Sequence, residues 1–304
     1  MTRFERCAWA FLLYLLFVIA FGAWVRISGS GDGCGNHWPL CRGEVVPLAP
    51  GAKTLIEFTH RLTSGLSGLL GLALVWWARR VDRAVFRAAL AMFVFLMIEG
   101  LIGAVLVKKE LVAGDASTSR ALVVGLHLTN TLMLTASAAA MAWRAGPGRP
   151  AAAAPVSRML LAGILLLLVV TNATGAVTAL GDTLFPVSPA IDGQLVTKIR
   201  EDLSAEHHFL VRLRIVHPVV AMTTVVLVGL ALLWLMQRSP LRLLKSSLHA
   251  LGGQTALGFL NIALGAPGWM QIAHLLAAQV VWILVFLTAL SLWKAAGQSA
   301  GIVR

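Results

Sequence analysis

Glu57, His60 and Arg61 stand together in Leu55-Ile56-Glu57-Phe58-Thr59-His60-Arg61, at the mouth of a long apolar segment. On a helix, a spacing of three puts the carboxylate and the imidazole on one face, roughly 5–6 Å apart. A carboxylate can accept and return protons, an imidazole can ligate a metal through one ring nitrogen, and a guanidinium can hold an anion. Ionisable groups inside a membrane span are costly and mark function by default. Three later apolar segments each carry a histidine near the corresponding end: His127, His217 and His274.

The elements that must position these residues are membrane helices. The 304 residues are 58% hydrophobic and only 12% charged, with a mean hydropathy of +0.83, too apolar for a soluble domain. Several runs exceed the roughly 18 residues needed to span a bilayer. The first, Cys7 to Val25, is followed by no small-residue cleavage site and reads as a span rather than a signal peptide. The net charge of +12 does not point to nucleic acid, because the basic residues fall in short loops where topology accounts for them. Eight spans are expected, at 7–26, 55–78, 85–107, 121–143, 156–180, 209–236, 242–264 and 269–293. The fold class is therefore an all-α polytopic membrane protein.

One side carries Arg3, Arg6, Arg79, Arg80, Arg83, Arg87, Arg144, Arg149, Arg158, Arg238, Arg242, Lys245, Lys294 and Arg304. The positive-inside rule makes that side the cytoplasm, or the mitochondrial matrix, with both termini there. The opposite side holds Arg26, Arg42, Lys53, Lys108, Lys109, Lys198 and Arg200, mostly in loops shared with Asp or Glu. It also holds two long loops, 27–54 and 181–208, at corresponding places in the two halves. Arg144-Ala-Gly-Pro-Gly-Arg-Pro150 and the alanines after it read as a linker. An internal repeat of four spans plus four follows, with halves 1–148 and 149–304, each a four-helix bundle. Gly22-Ala23 and Val25 match Gly175-Ala176-Val177, Gly103 matches Gly258, and His127-Leu128 matches His274-Leu275.

Each of the four histidines lies five to eight residues after the outer entry of an even-numbered span, roughly 8–12 Å down its helix. A lone histidine in a span is commonly a polar residue bonded to a neighbouring helix. Four at one depth, paired by the repeat as His60 with His127 and His217 with His274, suit axial ligation of haem iron in a helical bundle. Zinc or copper fits less well, since no thiolate or second carboxylate joins either pair. His37, His207 and His208 fall in outer loops, and His249 reads as an interhelical bonded residue. Only the first pair has a carboxylate three residues before a ligand; the second has Arg214 there, and Pro218 after His217. Glu99, with Gln254 as its counterpart, reads either as a structural acid or as a group supporting the histidine site. Cys34 and Cys41 share the first outer loop and read either as a stabilising disulfide or as a thiol–disulfide couple that relays electrons. Cys7 reads as packing.

Together these features resemble haem A synthase, in its cysteine-containing bacterial branch, whose expected location is the bacterial cytoplasmic membrane. The resemblance covers essentially the whole chain. It rests on Gly29-Ser30-Gly31-Asp32-Gly33-Cys34-Gly35 running into Trp38-Pro39-Leu40-Cys41, on Glu57 to Arg61, and on the four histidines in two halves. It implies oxidation of the C8 methyl group of haem O to a formyl group, giving haem A for cytochrome oxidase assembly. It assigns His60 and His127 to substrate haem O, His217 and His274 to a haem b cofactor, Glu57 to acid–base catalysis, and Cys34 and Cys41 to a disulfide. This chain departs from the pattern in having Pro218 where the family often has arginine, and in lacking a second cysteine pair in the later loop. Arg61, Arg26, Lys108 and Lys109 are candidate partners of the haem propionates. Membrane lipid, haem O and haem A, a haem O synthase, an electron acceptor and a second copy of the chain are the partners this reading admits. The rival readings are a di-haem b cytochrome that only transfers electrons, a transporter, and a haem carrier.

Overall fold

The computed structural model describes residues 1–146, 156–187 and 195–299. The expected boundary at 148/149, most of the expected linker, Arg149 and Arg304 lie outside them. Among the described residues the architecture is helical, with one isolated bridge between Cys41 and Glu44.

The helices in chain order are α1 (Arg3–Ile27), α2 (Ala52–Ala78), α3 (Arg83–Lys108), α4 (Thr118–Ala145), α5 (Arg158–Leu184), the short α6 (Leu195–Asp202) and α7 (Phe209–Arg212), α8 (Val216–Met236), α9 (Arg242–Ala263) and α10 (Gly268–Ser299). A helix stands at each of the eight expected places. Six segments are long and apolar enough to cross a membrane: α1, α3, α4, α5, Phe209–Met236 and Gly268–Trp293. These fit an integral membrane protein. The expectation of eight crossings meets that criterion only for these six. α2 and α9 are long enough, but α2 carries Lys53, Glu57 and Arg61, and α9 carries Arg242 and Lys245 among several Ser, Gly, Gln and Thr residues.

Helix starts follow local chemistry. Thr2 and Glu5 form a reciprocal capping box at α1, Asp82 accepts from the amides of Ala84 and Val85 at α3, and the Ser117 hydroxyl accepts from the Arg120 amide at α4. Between α7 and α8 the chain tightens into a 3-10 turn at Leu213–Ile215. Pro218 offers no amide hydrogen and its ring crowds the carbonyl four residues back, which disfavours an uninterrupted α-helix there. The later outer loop, 181–208, holds α6, and α7 opens the expected span 209–236.

α1 packs on α2 and α4, and α3 completes the contact with both. In the second half α5 packs on α8 and α10, and α9 on α8 and α10. The halves meet where α4 lies on α5 and α10, and α1 on α10. That seam is tight and partly polar. Ala138, Ala139 and Ala142 of α4 are fully buried. The Trp282 indole donates to the Leu132 carbonyl at 2.7 Å, and the buried Thr135 hydroxyl donates to Gln279 Oε1 at 3.0 Å. Interhelical hydrogen bonds of this kind add to close packing inside a bilayer, where the hydrophobic effect does not separate helix from lipid.

Candidate functional site

The Cys34–Cys41 loop is pinned to the start of α2. The two cysteines are joined by a disulfide and fully buried, and the Arg42 amide donates to the Cys34 carbonyl at 2.9 Å. Thr54 Oγ1 donates to the Gly33 carbonyl at 2.8 Å, and Arg42 Nε donates to the same oxygen at 3.0 Å. Gly33 has no substitute here, because a Cβ would run into the Lys53 backbone carbonyl. The loop also reaches the α3–α4 connection, where Asn36 Nδ2 donates to Glu110 at 3.1 Å.

Glu57 is buried between this loop and the cavity it lines. Its Oε2 accepts from the Cys34 backbone amide at 2.8 Å, and its Oε1 accepts from Arg61 Nε at 3.1 Å and from Arg61 Nη2. Arg61 Nη1 donates to the carbonyls of His37 and Leu40 at 2.6 and 2.7 Å. Arg61, a candidate propionate partner in the sequence, is thus engaged with Glu57 and with the loop.

Below this roof lies one continuous cavity of about 1170 Å³, lined by all four histidines. It exceeds the range of about 300–1,000 Å³ usual for a single small-molecule site. From the starts of their helices His60, His127 and His274 sit roughly 9–14 Å along, whereas His217 is the second residue of α8, eight residues after the apolar segment Phe209–Met236 begins. The His217 and His274 rings have centroids 6.4 Å apart, at an interplanar angle of 81°. His60 lies edge-on to Phe21 at 5.7 Å. Three of the four rings rest against a glycine of another helix. A Cβ at Gly22 would come within 3.1 Å of His60, at Gly175 within 3.0 Å of His217, and at Gly258 within 3.2 Å of His274. Buried Nδ1 atoms of His60 and His274 have no hydrogen-bond partner, whereas Thr174 Oγ1 lies 3.3 Å from His217 Nδ1. Among the described residues, no three of His, Cys, Asp and Glu cluster as a bare metal ion would require.

Glu99 faces the same cavity with its Oε1 3.3 Å from His127 Nδ1. Among the described residues it has no arginine partner. At the outer end, Arg26 reaches across the seam to the Ala179 carbonyl, the Thr183 hydroxyl and Gln271 Oε1, the last at 3.0 Å. Arg214 is ion-paired with Asp182 at 2.9 Å and Asp202 at 3.3 Å. Lys108 and Lys109 are exposed at the end of α3 and do not line the cavity. His37 and His207 are exposed, and His208 caps α7 and stacks on Phe185. His249, expected between helices, instead lies on an exposed face of α9.

The repeat predicts two similar pockets, one per half; the structure instead has all four histidines, Glu57 and Glu99 lining one cavity, with the Cys34–Cys41 loop over it. Sequence reasoning missed the glycine seats as seats, although Gly22, Gly175 and Gly258 had appeared as repeat markers. It also missed Thr54, Asn130, Thr131 and Thr174, whose partners lie on other elements.

A long helical membrane-type chain, with histidine pairs gathered in one apolar cavity under a disulfide-closed loop, defines a narrow class of protein. The chain belongs to the COX15-CtaA family, described as cytochrome oxidase assembly proteins, whose model matches residues 5–286. It is 45% identical, over 97% of its length, to a Thermus thermophilus protein named "Protoheme IX farnesyltransferase". The chain spans about half of that relative, 49% of its length. It is 43% identical to the "Heme A synthase" of Geobacillus kaustophilus over 40% of this chain and 39% of the relative. Against the "Heme A synthase" of Exiguobacterium sibiricum it is 32% identical, over 53% of this chain and 54% of the relative.

Proposed function

We propose that this chain is a haem A synthase, an oxidoreductase that converts the C8 methyl group of haem O to a formyl group. The observation that carries the reading is an asymmetry within one cavity: two histidine pairs line it, and a carboxylate, Glu57, precedes a ligand in only one. In this reading His60 and His127 hold haem O, and His217 and His274 hold haem b. The residues fit such groups. The cavity of about 1170 Å³ leaves room for planar ligands, and imidazoles sharing one metal at about 2 Å each would stand with centroids roughly 6 Å apart, close to the 6.4 Å between His217 and His274. Haem b, when bound, supplies one-electron chemistry beside the substrate. We read all eight long helices as spans, arranged as two pseudo-symmetric four-helix bundles over 1–148 and 149–304. The packing of α1 to α4 among themselves, and of α5 with α8 to α10, supports this. Both termini are then cytoplasmic and the cysteine loop is outside. The name borne by the longer Thermus relative supports a haem O synthase as the partner that supplies substrate.

With histidine on both faces of the substrate iron, dioxygen has no open position there, so the oxygen comes from water. Each of two rounds takes two electrons and two protons from the methyl carbon and a water, and leaves a hydroxyl on carbon. The resulting geminal diol loses water to the aldehyde. The electrons pass to an acceptor outside this chain. Glu57 takes protons. A carboxylate offers about four lone-pair sites; Arg61 occupies two on Oε1 and the Cys34 amide one on Oε2, which leaves a site on Oε2. Extraction and chromatography of haems from protein expressed with a haem O source test this. Wild type should yield haem A and haem b, and Glu57→Gln should retain haem O and form little haem A. Normal haem A formation by that variant rejects the role given to Glu57. The engagement of both Glu57 oxygens favours a second reading, a di-haem b cytochrome in which Glu57 only anchors the loop. Two equivalents of haem b, unchanged by the substitution, would select it.

A further inference from the structure

Glu99 is held still. Its Oε2 accepts from Asn130 Nδ2, which also donates to the Phe95 carbonyl at 2.9 Å, and its Oε1 accepts from the Thr131 hydroxyl. Both donors lie on α4, three and four residues after His127, so the helix that presents the imidazole also fixes the carboxylate against it. Oε1 stands 3.3 Å from His127 Nδ1, at ion-pair distance but off the axis of a hydrogen bond, and that nitrogen has no aligned partner.

The second half offers a built-in comparison. Glu99 lies four residues before Gly103, and Gln254 lies four before Gly258. Gln254 also reaches the histidine of the following helix, its Nε2 lying 3.2 Å from His274 Nε2. The counterpart therefore meets its histidine with a neutral amide and at the other ring nitrogen, and the His274 Nδ1 has no hydrogen-bond partner among the described residues.

We propose that Glu99 is a positioning residue for His127, accepting its Nδ1–H and making it the more strongly donating imidazole of the two halves. The proposal rests on the reading of His127 and His274 as iron ligands. A carboxylate behind a ligating histidine fixes the tautomer and raises ligand basicity. Added negative charge behind the ligand favours the oxidised metal, so the first site is held at lower potential than the second. The difference runs in the direction that draws electrons out of the first site.

The test uses the full-length purified protein loaded with ferric haem b as the probe, with midpoint potentials followed optically. His127→Ala and His274→Ala assign each signal to its site. Glu99→Gln is expected to raise the first-site midpoint, leave the second unchanged, and weaken haem binding at the first site by about 10–100-fold. A purely structural role for Glu99 would lower thermal stability without moving either potential, and that result overturns the proposal. If Glu99→Gln does not accumulate, Glu99→Asp, which withdraws the carboxylate from His127, decides alone: a raised first-site midpoint supports the proposal and an unchanged one overturns it. If His127→Ala and His274→Ala leave the haem spectra intact, the ligand reading fails, separately from the role of Glu99.

Discussion

Replacing Gly175 with alanine should separate helix stability from haem binding. Gly175 lies within α5, and a Cβ there would stand 3.0 Å from His217 Cε1, 3.3 Å from Nδ1 and 3.4 Å from Nε2. Carbon atoms in favourable contact sit about 3.5–4.0 Å apart, so the ring must retreat by roughly 0.5–1 Å. Its freedom to do so is limited by Thr174 at 3.3 Å on Nδ1 and by the His274 ring, whose centroid is 6.4 Å away. A functional side chain tolerates only about 0.5 Å of misplacement. The helix itself gains, since alanine is favoured over glycine in a helix by about 0.8–1.0 kcal/mol. Gly175→Ala should therefore keep or raise the Tm of the haem-free protein in detergent while weakening haem binding at the second site by about 10–100-fold. The assay is addition of ferric haem b to the apoprotein, read by absorbance, beside thermal unfolding. Gly163→Ala is the control: it lies on the same helix, and a Cβ there meets nothing within 4 Å. Unchanged haem affinity and spectrum in Gly175→Ala would refute the idea that this glycine seats the ligand.

Two further outcomes follow from the loop and the seam. Gly33→Ala should drive the cysteine loop off the start of α2, costing about 1–3 kcal/mol of stability by overpacking; denaturation in detergent measures it, and a wild-type transition would show that the loop has slack. Trp282→Phe should remove the indole's hydrogen bond to the Leu132 carbonyl, which still accepts within α4, and cost about 0.5–1.5 kcal/mol, read by the same method, with no loss if water replaces the indole.

The positions of the helices were legible because apolar runs of this length have few alternatives, and the structural ends fall within a few residues of the expected ones. The histidines and Glu57 were legible because ionisable groups are rare in such runs. The glycine seats were not: a glycine inside a span is ordinary, and only the approach of a ring from another helix gives it meaning. Arg26 shows the same limit. Its place at the mouth of the first outer loop suggested an anion partner, yet its side chain crosses to α5 and α10. Thr135, Gln279 and Trp282 were invisible for a related reason, since the sequence does not say which face of a span meets which neighbour. α2 and α9 show where hydropathy alone falls short. Their polar residues serve the loop and the cavity, and this brings them below the apolarity of a self-evident span.

The seam between the halves bears on how the chain is made. α10 follows every other helix in the sequence, yet it carries Gln271, Gln279 and Trp282, the partners of Arg26 on α1 and of Thr135 and Leu132 on α4. As the chain leaves the ribosome and enters the bilayer, α1 and α4 arrive long before the groups that satisfy them. Until α10 is inserted, the Thr135 hydroxyl has only carbonyls of its own helix, and the Arg26 guanidinium only the Ala179 carbonyl and Thr183 hydroxyl of α5. Docking of α10 therefore completes the polar contacts of the seam that α1, α4 and α5 begin.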